Sequence, residues 1–237
     1  MPTPTVVLVH GAFADASSFA ALVPELFAAG LDVRVPAVPN RSLVGDAAYI
    51  ASVVSHIDGP VLLVGHSYGG AVITVAGTAD NVVGLVYLAG YALEEGESLG
   101  ELQGGFPDSP LAEALVYTPF PQAGGEDGTD VSVDVARFPE IFAADVDPDL
   151  ARILAVSQRP LAGAAFGEAA PAAAWKTKPA WGIVSSSDHT INPDVERFGY
   201  QRAGMTTVEI DSSHLVMLAH PKEVAEVIRT AIETIGA

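Results

Sequence analysis

The sequence contains no cysteine, and its 237 residues include only 11 lysines and arginines against 29 aspartates and glutamates. Without cysteine there is no disulfide and no thiolate-bound metal, a composition typical of a cytoplasmic protein. The formal net charge of −18 repels nucleic acid and anionic lipid, so we expect no partner of either kind. The acidic residues are scattered along the chain, and we interpret them as keeping an apolar protein in solution.

The sequence also lacks long apolar runs. Its longest apolar runs have the length of a strand and are far too short to span a membrane. The N-terminal residues lead directly into a predicted strand, without a basic or signal-like segment. The length fits one domain, or one domain with an insertion, and 49% apolar residues suffice for its core. We therefore expect a cytoplasmic globular protein, and composition leaves both a monomer and a homodimer open.

Apolar, mostly β-branched segments alternate with segments of helical periodicity, which is typical of a parallel sheet covered by helices. The predicted strands are residues 5–9, 31–35, 61–64, 82–89, 179–184 and 206–210, and the predicted helices include residues 47–57, 71–76 and 221–235. The alternation fails between residues 91 and 178, where helical patterns cover residues 111–117, 135–144 and 147–157 around a polar loop at 122–130. A structureless loop of that length is implausible. We predict a mostly helical cap segment (residues 91–178) inserted into a core domain of residues 1–90 and 179–237.

The segment from Val61 to Gly70 is the most informative part of the chain. The strand Val61–Val64 leads straight into Gly65-His66-Ser67-Tyr68-Gly69, and a packed helix follows. A turn this tight strains its central residue and brings its flanking positions so close to other backbone that only glycine fits. The central serine then lies at a helix N-terminus, where amides and the helix dipole favour negative charge. The pattern predicts that Ser67 is a nucleophile.

A serine hydroxyl needs an adjacent base, and the base needs a carboxylate to orient it. Of the six histidines, His214 follows the last predicted strand, in a loop at the edge where the strands' carboxyl ends meet, and it is the predicted base. Asp188 follows the penultimate strand and gives the chain order serine, aspartate, histidine. Asp211, and Glu94 or Glu95, are the alternative carboxylates. We expect a structural hydrogen bond from His10.

The developing oxyanion of acyl transfer also needs amide donors. The amide of Tyr68, directly after the serine, is one predicted donor, and the second comes from Ala12 or Phe13 in the turn after the first strand. The predicted pocket-lining aromatic residues are Phe13, Tyr91, Tyr117, Phe142 and Phe166. The chain has no H-E-x-x-H and no phosphate-binding glycine motif, so we expect neither a metal nor another cofactor.

These motifs resemble those of the α/β-hydrolase superfamily. The residues concerned are Val9-His10-Gly11-Ala12-Phe13, the Gly-His-Ser-Tyr-Gly-Gly turn, Asp188 and Ser213-His214. More narrowly, nearly the whole chain is similar to small bacterial esterase-like relatives of plant methylesterases and hydroxynitrile lyases. The resemblance implies an α/β-hydrolase fold, with a mostly parallel central sheet flanked by helices and a small helical cap inserted after the sixth strand of that fold.

The resemblance also implies a triad of Ser67, Asp188 and His214, with oxyanion amides on Ala12 and Tyr68. The activity it implies is the hydrolysis of small, mostly uncharged carboxylic esters without a cofactor. Such an ester is the only partner molecule that we expect.

Two positions depart from the hydroxynitrile lyases, which carry a threonine soon after the first strand and a lysine directly after the catalytic histidine. This chain has Gly11 and Leu215 at those positions, which argues against cyanohydrin cleavage. The alternatives are a non-ester activity of the same fold, as a C–C hydrolase, a perhydrolase or a hydroxynitrile-lyase-like enzyme, or a ligand-binding or sensing protein with little turnover.

Overall fold

A computed structural model of the protein describes residues 2–122 and 124–236. Strands in this part of the chain form two separate sheets. The strands are β1 (Thr5–Val9), β2 (Val33–Arg34), β3 (Val61–His66), β4 (Val82–Leu88), β5 (Leu115–Phe120), β6 (Gly128–Val133), β7 (Leu161–Ala162), β8 (Ala180–Ser185) and β9 (Thr206–Ile210). The main sheet has the order β2-β1-β3-β4-β8-β9 and all its pairs are parallel, which confirms the predicted sheet.

Helices flank the main sheet. They are α1 (Leu22–Ala28), α2 (Leu43–Ser55), α3 (Tyr68–Ala76), α4 (Leu99–Gly104), α5 (Phe138–Phe142), α6 (Pro148–Val156), α7 (Pro193–Arg202), α8 (Val216–Ala219) and α9 (Pro221–Gly236). Helix α2 packs beside α3, and α1 packs beside α9. Every residue of β3 is buried, so both faces of the sheet are covered, as a parallel sheet requires. Within the described residues, each helix is too short or too polar to span a bilayer.

Several element boundaries differ from the sequence prediction. Strand β2 is shorter than the predicted residues 31–35. Helix α2 begins four residues earlier than predicted, because the Ser42 side chain caps it by accepting the Gly45 amide. Helix α7 occupies a stretch for which the apolar pattern predicts no element, and only four of its ten residues are buried.

The cap segment contains a three-stranded sheet, which the sequence analysis did not predict, in addition to helices. Of the helix predicted at residues 111–117, the first four residues lie in a short 3-10 helix (Pro110–Ala114) and the last three belong to β5. Strand β5 pairs antiparallel with β6, which in turn pairs with β7. The predicted polar loop at 122–130 becomes the hairpin connection and the start of β6, and its position 123 lies outside the described residues. Alternating β-branched and aromatic residues in β5 gain a partner strand here, which local helical spacing cannot reveal.

Counted along this chain, the cap segment follows the fourth strand of the main sheet, not a sixth, since only β1 to β4 precede it in that sheet. It ends before β8, which pairs directly with β4. The division into a core domain and a cap stays a prediction.

The connection from β3 to α3 is as tight as the glycine pattern predicts. A Cβ on Gly65 would overlap the carbonyl oxygen of Gly69, and a Cβ on Gly69 would overlap the carbonyl oxygen of Val9. Both obstacles are backbone atoms, which cannot rotate away. The two glycines therefore allow α3 to start directly above β1 and β3.

Replacing Gly69 by alanine should destabilise the fold, because the backbone of β1 would have to move. We expect the free energy of unfolding to fall by about 3 kcal/mol or more, measured by urea unfolding with circular dichroism. Gly236→Ala is the matched control, since nothing lies within 4 Å of a Cβ placed there, and its effect should stay within about 0.5 kcal/mol. Equal stability of the Gly69 variant and the parent would contradict this account.

Candidate active site

Ser67 joins β3 to α3 in a strained backbone conformation. Its φ of 55° and ψ of −122° lie in a region that non-glycine residues avoid, at a cost of about 1–3 kcal/mol. The side chain lines a cavity at the carboxyl edge of the main sheet. The sharp turn thus presents a hydroxyl to a cavity at the N-terminus of a helix.

His214 and Asp188 meet across the loops that follow β9 and β8. The Nδ1–H of His214 donates to Asp188 Oδ2 at 2.5 Å, and both side chains are fully buried. Asp188 Oδ1 accepts the amides of Thr190 at 2.6 Å and Ile191 at 3.1 Å, which fix the carboxylate in place. Because Nδ1 holds the proton, Nε2 is the nitrogen with a free lone pair. Nε2 is buried and forms no hydrogen bond with any described residue, Ser67 Oγ included.

The alternative carboxylates have other partners. Asp211 accepts the hydroxyl of Ser187 at 2.6 Å, and Glu94 forms an ion pair with Lys176. Glu95 is exposed. Asp188 is therefore the carboxylate that the structure brings to His214.

Two other histidines support the site, and the sequence analysis identified only one of them. The Nε2 of His10 accepts the Val38 amide at 2.9 Å, which confirms the predicted structural hydrogen bond. The Nε2–H of His66 donates to the backbone carbonyl of His214 at 2.9 Å, and the two rings lie 4.6 Å apart. Burial, followed by the nearby His214, lowers the pKa of His66 well below its usual value. The position of His66 directly before the serine was the one sequence signal for this contact.

The structure separates the two candidates for the second oxyanion amide. The Phe13 amide donates to the carbonyl of Arg159 at 2.9 Å and is therefore occupied. The Ala12 amide has no acceptor among the described residues. The Tyr68 amide is the first of α3, where amides lack an intrahelical acceptor. The amides of Ala12 and Tyr68 thus remain available beside Ser67.

A largely apolar cavity of about 260 Å³ opens above Ser67. It is lined by Ala12, Phe13, Ser67, Tyr68, Tyr91, Leu99, Gly100, Gln103, Gly104, Asp108, Leu111, Ala112, Leu115, Leu161, Phe166, Thr190 and Ile191. Asp108 is the one charged residue among them. Three of the predicted pocket aromatics, Phe13, Tyr91 and Phe166, are among the lining residues.

The other two predicted pocket aromatics lie elsewhere. Tyr117 is on β5 with 64% of its surface exposed, and it is not among the residues that line the cavity. Phe142 is fully buried and stacks edge-on against His214 with 4.7 Å between ring centres. Phe142 therefore supports the histidine from behind and does not face the cavity.

Asp145, in the cap segment, binds the loop that carries His214. Its Oδ2 accepts the Ser212 hydroxyl at 2.8 Å and the Ser213 amide at 2.9 Å, and its Oδ1 accepts the Ser213 hydroxyl. One carboxylate thus fixes the two residues that precede the histidine. The sequence analysis missed this residue, because its partners lie 67 and 68 positions away.

No group of three or more His, Asp or Glu side chains in the described part of the chain is arranged to bind a metal ion.

Residues 6–227 match the model of the alpha/beta hydrolase family. The match covers nearly the whole chain, and the protein therefore belongs to this family, in agreement with its motifs. A comparison with curated proteins finds no match.

Solved structures share the same fold. The chain is similar to a pyrethroid hydrolase from Sphingobium faniae JZ-2, with a TM-score of 0.77, 22% identity and 97% of each chain covered. It is similar to polyneuridine aldehyde esterase, with a TM-score of 0.82, 16% identity, and 99% of this chain and 100% of that chain covered. It is also similar to the methylesterase MES16 from Arabidopsis, with a TM-score of 0.80, 18% identity, and 98% and 99% covered.

Asp145→Asn should weaken the hold on the His214 loop, because a neutral amide offers one acceptor oxygen to the donors of Ser212 and Ser213. We expect the free energy of unfolding at pH 7 to fall by about 1–3 kcal/mol, measured by urea unfolding. Asp80→Asn, at an exposed aspartate, is the control, with an expected change within about 0.5 kcal/mol.

The effect of Asp145→Asn should also depend on pH. Burial acts to raise the pKa of Asp145, but the hydrogen bonds from Ser213 and Ser212 outweigh it and hold the pKa below the ordinary 3.8. The carboxylate therefore stabilises the fold above pH 3.8, and this contribution is lost as pH falls through the folded-state pKa. The difference between parent and variant should narrow at acid pH, and a constant difference would contradict the assignment.

Proposed function

We propose that the protein is a serine esterase that hydrolyses small, uncharged carboxylic esters through an acyl-enzyme on Ser67. The observation that carries this proposal is the buried His214, whose Nδ1 is held by Asp188 and whose Nε2 has no hydrogen-bond partner among the described residues. This is the protonation pattern of a base ready to take a proton from a serine.

The reaction begins when Nε2 of His214 takes the hydroxyl proton of Ser67 as its oxygen attacks the ester carbonyl. Nε2 and the hydroxyl must close to hydrogen-bonding distance when substrate binds, as catalytic contacts often tighten at that stage. The amides of Ala12 and Tyr68 stabilise the oxyanion, each contributing about 3 kcal/mol. His214 then passes its proton to the leaving alcohol, and a water molecule hydrolyses the acyl-enzyme by the same steps.

The cavity supports a small and uncharged substrate. No lysine or arginine is among its lining residues, and Asp108 would repel a carboxylate. Its volume of about 260 Å³ lies just below the usual range of ligand pockets. The names of the similar structures, a pyrethroid hydrolase and two esterases, agree with hydrolysis of an ester.

Cyanohydrin cleavage fits the site less well. A Cβ on Gly11 would lie 2.7 Å from the Cβ of Ser67, so a threonine at this position requires the turn between β3 and α3 to move. Leu215 is buried and is not among the residues lining the main cavity. The two polar groups that mark the lyases therefore have no counterparts here.

Ser67→Ala should reduce kcat/KM for a short p-nitrophenyl ester by about 1,000-fold or more and abolish labelling by a fluorophosphonate probe. The fold should survive, because alanine is smaller than serine at the same backbone angles. Ser52→Ala, at an exposed serine of α2, is the matched control and should keep full activity. Undiminished turnover by the Ser67 variant would refute the proposal, and failure of the parent to label would favour a binding protein.

Phe166→Ala should shift the acyl-length optimum towards longer esters, because it enlarges the cavity. The measurement is kcat/KM over p-nitrophenyl esters of increasing acyl length. Tyr117→Ala is the control, since it removes an aromatic ring of the same cap segment outside the cavity. An unchanged optimum for Phe166→Ala, or the same shift for both variants, would contradict the assigned pocket.

A further inference from the structure

Glu196 is a fully buried acid that the reaction described above does not use. It lies on α7 with no exposed surface, on the same helical face as Gly199 and Tyr200. Its Oε2 accepts the Ser185 amide at 3.0 Å. The carbonyl of Ser185 in turn accepts the Asp188 amide at 3.2 Å. Glu196 and Asp188 are therefore anchored to the same residue at the end of β8.

The hydrogen-bonding capacity of the two carboxyl groups is complementary. A carboxylate offers about four lone pairs, and Asp188 uses three of them, for His214, Thr190 and Ile191. Oε1 of Glu196 is buried and receives no donor from any described residue. The shared anchor at Ser185 brings the buried Glu196 carboxyl into the surroundings of Asp188, whose charge acts on it. A proton on Oε1 of Glu196 would give this oxygen a hydrogen bond to make, and the remaining lone pair of the Asp188 carboxylate could accept it.

The charges around Glu196 favour its neutral form. Burial, followed by the charge of Asp188, raises the pKa of Glu196 well above its ordinary value. The other titratable groups around it are Tyr91 and Tyr200, which are neutral because burial raises both of their pKa values. Arg197, the next residue along α7, is a cation, but its ion pairs with Asp194 and Glu209 hold it at the surface. Two adjacent buried carboxylates without a cation between them cannot both ionise at low cost.

We propose that Glu196 carries a proton and donates it in a hydrogen bond to Asp188, which makes it a positioning residue for the Asp188–His214 pair. Its consequence for catalysis rests on the proposed esterase function. The neutral acid holds Asp188 in place and leaves it as the negatively charged member of the Asp188–His214 pair. Deprotonation of Glu196 would replace this hydrogen bond by repulsion, so activity should decline when the pH is high enough to remove the proton.

The protonation of Glu196 can be tested without measuring activity. Infrared spectra of the parent and of Glu196→Gln at pH 7 should differ by the C=O band of a protonated carboxylic acid, present in the parent only. Glu233→Gln, at an exposed glutamate, is the control and should keep the band. Absence of this band from the difference spectrum would overturn the proposal even if esterase activity is established.

The positioning role can be tested by kinetics. The glutamine amide can donate to Asp188 and accept from Ser185, so Glu196→Gln should keep kcat within about threefold and lose the alkaline decline. Glu196→Leu has neither group, and kcat should fall about tenfold or more with little change in KM. Retention of the alkaline decline by the glutamine variant, or full kcat in a folded leucine variant, would overturn the role. If Ser67→Ala keeps its activity, the esterase function fails while the infrared result still stands.

The stability of the glutamine variant provides a further readout. A carboxyl whose folded-state pKa is raised binds its proton more tightly in the folded protein than in the unfolded chain. The free energy of unfolding of the parent should therefore fall relative to Glu196→Gln as pH rises above the ordinary value of 4.5. A difference that stays constant between pH 5 and pH 8 would count against the protonated form.

Discussion

The hydrogen bond between His214 and Asp188 is the interaction on which the rest of the site depends. It joins the loops after β9 and β8, which emerge side by side because the two strands pair in parallel register. Both side chains are fully buried, and a hydrogen bond is stronger where water is excluded. By holding the proton on Nδ1, the bond determines that Nε2 is the nitrogen available to a serine.

Several parts of the chain hold this pair from different directions. His66, at the end of β3, binds the His214 carbonyl, and Phe142, on α5, packs against the imidazole ring. Asp145 binds the residues just before the histidine. Phe142 and Asp145 both belong to the cap segment. That segment therefore does more than cover the cavity, because it fixes the loop that carries the predicted base.

The sequence was informative where function depends on local geometry. Ser67 could be predicted because Gly65 and Gly69 are needed wherever backbone approaches within contact distance at such a turn. His214 and Asp188 followed from the rule that the carboxyl ends of parallel strands share one edge.

Prediction failed where the answer depends on distant partners. The choice between Ala12 and Phe13 depends on the Arg159 carbonyl, 146 positions beyond Phe13. Tyr117 was misplaced because its strand forms only by pairing with β6. Glu196 had a local signal, an acid on the buried face of an amphipathic helix, but recognising it requires predicting α7 first.

The proton that moves in the proposed reaction must end on His214 and not on the neighbouring His66, and the buried environment explains why it does. His66 lies against His214, yet its low pKa keeps it neutral, so it does not oppose the positive charge that His214 acquires. With Glu196 neutral as well, Asp188 is the one charged partner of that imidazolium, and the field at the site favours charge separation between Ser67 and His214.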